Sequence, residues 1–236
     1  MSMPTPESKN AFKGFHLRTD ERTADDVLRS QIASEVRSVI DELLGTSAPL
    51  EELERTRAIV NEAVVLLKAR SHSHAYEGPA EGSLAAPVNS FLDRSPIIGG
   101  INPLSVPMCM EIDGDGSRDS TVVGYATFPA AYEGPPGCVH GGFIAAYFDE
   151  VLGMAQSLGG NPGMTVNLTI DYRAPTPLNQ PIVFRGRVVS IDGRKISVAG
   201  TLHHGETLCA EAKGLFVSMR PEVFTRLIEI RQAQPH

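Results

Sequence analysis

The chain has 236 residues, enough for one sizeable domain with an extension or for two small domains. Its apolar fraction of 42% is ordinary for a soluble globular protein, and no apolar run approaches the roughly 18 residues needed to cross a bilayer. A formal charge of −7 argues against nucleic acid as a partner.

The start, Met1-Ser2-Met3-Pro4-Thr5-Pro6-Glu7, has neither a basic n-region nor an apolar h-region, so no secretory signal is expected and a cytoplasmic location is the default. Cys109, Cys138 and Cys209 are odd in number and lack CxxC spacing, which suits reduced thiols better than a disulfide framework or a zinc site. No metal is expected.

Residues 1–22 are polar and contain proline, and read as a loose arm. From Ala24 to Leu44 the apolar residues Val27, Leu28, Ile32, Val36, Val39, Ile40, Leu43 and Leu44 recur at helical spacing. Thr23 with Asp26 is an N-cap pair, and Gly45 is a stop. A second helix opens with Pro49 in its first turn and carries Leu50, Leu53, Val60, Val64 and Leu67 on one stripe. Residues 23–70 are therefore expected to form a helical hairpin packed on the rest of the protein. A separate docking module is the alternative. The many acids (Asp25, Asp26, Glu35, Asp41, Glu42, Glu51, Glu52, Glu54) make DNA an improbable target. Residues 71–94 break this periodicity with His, Gly, Pro, Ala and Ser and read as a linker. Its His72 and His74 have no further ligands nearby, so solvated histidines are expected.

The domain expected at 95–220, before a C-terminal tail at 221–236, has a different character. Thr121 to Phe128 reads as a strand ended by Pro129, and Gly134-Pro135-Pro136-Gly137 is a turn. His140 to about Ser157 is apolar without proline and predicts a helix buried nearly all round. Strand-like segments follow at about 163–173, 181–191, 194–204 and 207–219, punctuated by Pro175-Thr176-Pro177, Asp192-Gly193 and His204-Gly205-Glu206. One buried helix with antiparallel strands joined by short turns is an α+β architecture, the sheet curled over the helix.

The segment from Tyr132 to Glu150 carries the chemistry. Gly141 and Gly142 are poor helix formers, about 1 kcal/mol each against Ala, yet they let a ligand approach N–H groups that have no intrahelical partner. Those donors suit a carbonyl oxygen that gains negative charge. Tight packing of the helix start is the plain alternative. Asp149 lies inside the most apolar helix, where a carboxylate is either satisfied structurally or retained for chemistry. Glu150, about 100° round the helix, is expected to be solvated or at an interface. His140 and Asp149 are nine residues apart, about 13.5 Å along the axis and on nearly opposite faces. Donors at Gly141 and the carboxylate of Asp149 cannot serve one carbonyl within a single chain. An active site made from them needs two antiparallel copies of the helix.

Together these blocks resemble the hotdog-fold thioesterase superfamily, specifically its PaaI-like and thioesterase-superfamily-member acyl-CoA thioesterases. The resemblance runs from about Ser95 to Met219. It rests on Tyr132-Glu133-Gly134-Pro135-Pro136-Gly137 leading into His140-Gly141-Gly142, then Asp149. It continues through Gly163-Met164-Thr165-Val166-Asn167-Leu168, Asp171-Tyr172-Arg173-Ala174-Pro175-Thr176-Pro177-Leu178 and Asp192-Gly193-Arg194-Lys195. It implies a hotdog fold with an N-terminal helical extension, a homodimer and possibly a tetramer. The implied reaction is hydrolysis of an acyl-CoA to free acid and CoA, with CoA as part of the substrate and no cofactor. By position, the Gly141 N–H polarises the thioester carbonyl and Asp149 of the other chain acts as general base or nucleophile. Thr165 holds the water or orients the carboxylate, and His140 fixes the turn or touches the thioester. Arg173, Arg194 and Lys195 are candidates for the CoA phosphates, and Gly142 and Asn167 for the rest of the substrate. Phe143, Tyr147 and Leu168 are candidate walls. A hydratase on the same fold would want a His soon after the Asp, and none follows within a helical turn. A non-catalytic acyl-CoA-binding regulator is the other alternative.

Overall fold

The computed structural model describes residues 23–70, 93–158 and 163–218, and beyond these positions 220, 222, 223, 226, 229 and 230. The expected arm, His72 and His74, all but two residues of the linker and most of the tail lie outside the described residues. Helices α1 (Ala24–Gly45) and α2 (Leu50–Lys68) come first, then strands β1 (Cys109–Asp113) and β2 (Thr121–Ala126). Helix α3 (Gly141–Ser157) precedes β3 (Gly163–Tyr172), β4 (Ile182–Asp192), β5 (Lys195–His204) and β6 (Thr207–Ser218). No described helix is long and apolar enough to cross a membrane.

The six strands form one antiparallel sheet in the order β1-β2-β4-β5-β6-β3. Its inner face wraps α3, which touches β2, β3, β4, β5 and β6. This is the hotdog arrangement, with the helical extension at the N-terminus. The core lies between helix and sheet: Phe148, Val151 and Leu152 from α3 meet Phe184, Val198, Leu202 and Phe216. Close approach depends on small residues across the sheet, where Gly186 pairs with Gly200 and Gly200 with Ala212. A Cβ on Gly200 would lie 3.0 Å from Leu152 and 2.5 Å from the Arg185 carbonyl oxygen. The turns fall at Asp192-Gly193 and Gly205-Glu206, where both glycines have positive φ.

Strand β1 has no counterpart in the sequence reading. It is five residues long and adjoins a polar Gly/Asp/Ser turn, too little for a period-two signal. Helix α3 also departs from expectation. It is buried along one face only, at Ile144, Tyr147, Phe148, Val151, Leu152, Met154, Ala155 and Gln156. Gly142, Ala145, Ala146, Asp149 and Gly153 remain partly or fully open, so the helix is not enclosed all round within one protomer.

The extension is helical where the spacing places it. Thr23 caps α1 with Asp26 in a reciprocal capping box. The expected packed hairpin is absent: α1 and α2 do not lie face to face. Thr46 and Pro49 are both extended, with ψ of 142° and 162°, so the four-residue connection is not a tight reversal. Helix α1 docks on the domain, where Ala33 is buried, Arg37 donates to the Asn102 carbonyl at 3.0 Å and Asp41 accepts from the Ala131 N–H at 3.0 Å. Helix α2 buries no residue.

Candidate active site

The turn before α3 is held by its own backbone. Gly134 N–H donates to the Cys138 carbonyl, Gly137 N–H donates to Glu133 Oε1 at 2.6 Å, and Gly137 takes a φ of 73° that favours glycine. His140 N–H donates to the Tyr132 carbonyl, and the Tyr132 and Phe143 rings meet edge to face at 4.7 Å. His140 is thereby set as the N-cap of α3, and its Nδ1 accepts the Gly142 N–H at 3.0 Å. Its carbonyl accepts from Phe143 and Ile144.

That leaves Gly141. Among the described residues its N–H has no acceptor, while those of Gly142, Phe143 and Ile144 are taken. One unpaired donor at the positive end of a helix is a place for an oxygen carrying partial negative charge. Gly142, expected to offer a second donor, has already spent its N–H on His140. Tyr172, at the end of β3, donates its hydroxyl to the Gly141 carbonyl at 2.7 Å, and a Cβ at position 141 would lie 3.0 Å from that hydroxyl. Burial raises the Tyr172 phenol above its ordinary value, which keeps it a donor at neutral pH. Tyr172 belongs to the Asp171–Leu178 block of the resemblance, and the sequence pattern alone gives it no role at the helix start.

The other end of β3 holds Asp149. Thr165 Oγ1 donates to Asp149 Oδ1 at 2.8 Å, which fixes the carboxylate and leaves Oδ2 available. Asp149 is half-buried on the open face of α3, not sealed in apolar surroundings. Its neighbour Glu150, expected to be solvated or at an interface, turns inward and accepts from Ser95 Oγ at 2.8 Å. Burial pushes its carboxyl above the usual value, against the Ser95 hydrogen bond and with the nearby Asp149 charge. Ser95 Oγ also accepts from the Ile97 and Ile98 N–H groups, so Glu150 ties α3 to the segment entering the domain.

Thr165 and Tyr172 both reach α3 although seven residues separate them, an odd number that would put them on opposite faces of a regular strand. A bulge between Thr165 and Asn167 inserts Val166 and resets the alternation. Leu168 and Ile170 then face the core. Asn167 points the other way, where its Oδ1 accepts from Thr169 Oγ1 at 3.2 Å, so it is not brought to Asp149 and Thr165. Gly141 and Asp149 are eight residues apart on α3, about 12 Å along the axis. Within one chain the two groups therefore stand apart.

Two of the three basic candidates are engaged within the chain. Arg173 pairs with Glu211 at 2.9 Å and Asp171 at 3.6 Å, all partly exposed. Arg194 Nε donates to the Ser218 carbonyl at 3.0 Å, closing the end of the sheet. Lys195 is exposed at the start of β5. Phe143 is exposed beside Tyr132, whereas Tyr147 is a core residue whose hydroxyl donates to the Val106 carbonyl at 2.6 Å and accepts from the Val106 N–H. Tyr147 is therefore a staple, not a pocket wall.

A curled sheet around one helix, with a free N–H at the helix start and a threonine-held aspartate two turns on, defines a protein of the hotdog fold. Residues 136–211 match the family described as Thioesterase superfamily. Acyl-coenzyme A thioesterase THEM4 of Xenopus laevis is 38% identical over 96 residues, 39% of this chain and 43% of that protein. Human acyl-coenzyme A thioesterase THEM5 is 30% identical over 97 residues, 40% of this chain and 39% of that protein. The matches thus span about two fifths of these curated relatives. A crystal structure of a thioesterase superfamily protein superposes with a TM-score of 0.73 at 33% identity, covering 86% of this chain and all of that one. The chain belongs to the thioesterase superfamily.

Proposed function

We propose that the protein hydrolyses acyl-CoA thioesters to free acid and CoA, at sites each built from two copies of the chain. The observation that carries this reading is the division of α3, with an unpaired Gly141 N–H at one end and the Thr165-held Asp149 at the other. The thioester carbonyl oxygen accepts from Gly141 N–H of one copy. Asp149 of the second copy takes a proton from water through its free oxygen, and the hydroxide attacks the carbonyl carbon. The oxyanion is held at the helix start and collapses with loss of the CoA thiolate. His140 acts by capping the helix and ordering this donor, and Tyr172 fixes the Gly141 carbonyl. Lys195 and Arg194, at the turn after β4, supply charge for the CoA phosphates. Arg173 does so only by leaving Glu211.

Two features support a second copy. The open stripe of α3 is made of Gly142, Ala145, Ala146 and Gly153 around Asp149, which lets another helix approach closely. Strand β3 is a sheet edge of ten residues with Met164, Val166 and Tyr172 exposed, a template for pairing. Antiparallel pairing of two β3 strands about their middle brings the Thr165 end of one beside the Tyr172 end of the other. The two half-sites then meet.

The test is thiol release from acyl-CoAs of short, long and aromatic acyl groups, comparing the native protein with Asp149→Asn. Native turnover that falls by about 10²-fold or more in a folded, equally associated variant supports the reading. Binding of acyl-CoA by both without turnover replaces it with the regulator. Equal turnover by both removes Asp149 from the mechanism.

A further inference from the structure

Helix α1 is docked the wrong way round for an amphipathic helix. Its face toward the domain carries Ser30, Ala33, Arg37 and Asp41, and its contacts there are polar. Its apolar stripe, Leu28, Ile32, Val36, Val39 and Leu43, faces outward and is exposed. An amphipathic helix ordinarily buries that stripe. Helix α2 has the same problem in full: Leu50, Leu53, Val60, Val64 and Leu67 recur at alternating spacings of three and four, interrupted only by Arg57, and none is buried. The two stripes do not cover each other within one protomer, because the helices are not face to face.

We propose that α2 of one copy packs on the outward stripe of α1 of a second copy, so that the two extensions form a four-helix layer joining the dimer. This rests on the two-chain site proposed above. Three observations select a second copy as the occupant. The first is area. Sixteen large apolar residues of α1 and α2 are between 36% and 73% exposed, which leaves on the order of 1,000 Å² uncovered per chain, against the roughly 800 Å² per partner of a standard interface. The second is place. Helix α1 is seated on residues Ala130–Tyr132, whose Tyr132 carbonyl holds His140. Helix α1 is therefore fixed to the segment that positions the start of α3, the end of that helix which a second copy's Asp149 must reach in the two-chain site. The third is connection. A short extended link that leaves two complementary helices unpaired in one chain is the arrangement from which protomers exchange an element. The superposition with the solved thioesterase superfamily protein covers 86% of this chain, more than the sheet domain alone supplies, so the extension belongs to a shared architecture. Glu51, Glu52, Glu54 and Glu62 make α2 a poor fit to an anionic lipid surface.

The test uses the full chain with Val60→Glu and Val64→Glu together. Both sites are exposed in the protomer, and Glu is a good helix former, so the fold and α2 are retained, as circular dichroism checks. Sedimentation velocity over a dilution series is expected to show the dimer dissociation constant raised at least tenfold. Thioester turnover is expected to fall at low protein concentration and recover at high. A dissociation constant unchanged within twofold overturns the proposal. So does cross-linking, over the background of the native thiols, that joins Val36→Cys to Val60→Cys only within one doubly substituted chain and never between singly substituted copies of different mass. Absence of turnover by the native protein at every concentration instead removes the thioesterase reading and leaves the association result standing by itself.

Discussion

Glu150 and Asp149 are adjacent on α3 and about 100° apart around it, and this rotation gives two carboxylates different surroundings. Asp149 opens to the uncovered face of α3, with Thr165 as its donor. Glu150 turns toward Ser95, and burial disfavours its charged form. A carboxyl whose folded value is raised keeps its proton to higher pH than it does in the unfolded chain. The folded state therefore binds more protons in the window that starts at the ordinary value of 4.5, and stability falls as pH rises through that window. Above the window the full cost of the buried charge is present. Glu150→Gln keeps an oxygen for the Ser95 hydroxyl and carries no charge. Its melting temperature is expected to exceed that of the native protein at neutral pH, with the gap closing on acidification. Thermal denaturation of both proteins across that range checks it. A constant gap would mean that folding does not shift the Glu150 carboxyl, and a reversed one that Glu150 is held as a favoured anion.

At the scale of elements, the spacing of α3 against the sheet is set by residues too small to stand out. Gly200 faces Gly186 on one side and Ala212 on the other, directly beneath Leu152. Gly200→Ala would place a methyl 2.5 Å from the Arg185 carbonyl oxygen, and neither backbone nor helix has room to yield cheaply. It is expected to destabilise the protein by about 1–3 kcal/mol, read from chemical denaturation midpoints with unchanged slope. The sequence makes the four long strands, their turns and α3 legible because alternation and Gly-containing turns act over short range. It hides β1, too short for periodicity, and it hides the bulge at Val166. Without that bulge the alternation rule sends Thr165 and Tyr172 to opposite faces, so the role of Tyr172 at Gly141 is not legible in the sequence. The apolar stripes of α1 and α2 are plain in the sequence. Their failure to meet is not, because periodicity tells which face is apolar and not what covers it.

At the scale of the whole molecule, the two half-sites make a prediction that does not depend on substrate identity. Gly141 is the first residue of α3, where proline is well tolerated because the N–H has no intrahelical partner. His140 before it is already extended, with φ of −62° and ψ of 131°, as a residue preceding proline must be. Gly141→Pro therefore removes the unpaired donor while leaving the helix in place, and the Tyr172 hydroxyl has only to shift slightly. Loss of one such donor is expected to lower turnover by about 10²–10³-fold. Neither this variant nor Asp149→Asn is then appreciably active by itself. Under the two-copy mechanism proposed above, each site of a symmetric dimer takes Gly141 from one chain and Asp149 from the other. A mixed dimer of the two variants has one site with both defects and one with neither. Equal amounts mixed through unfolding and refolding should therefore recover about a quarter of native turnover. Recovery on mixing, from two proteins inactive apart, requires a site shared between chains. No recovery in mixtures that demonstrably contain mixed dimers would place both groups in one chain's site and overturn the two-copy mechanism.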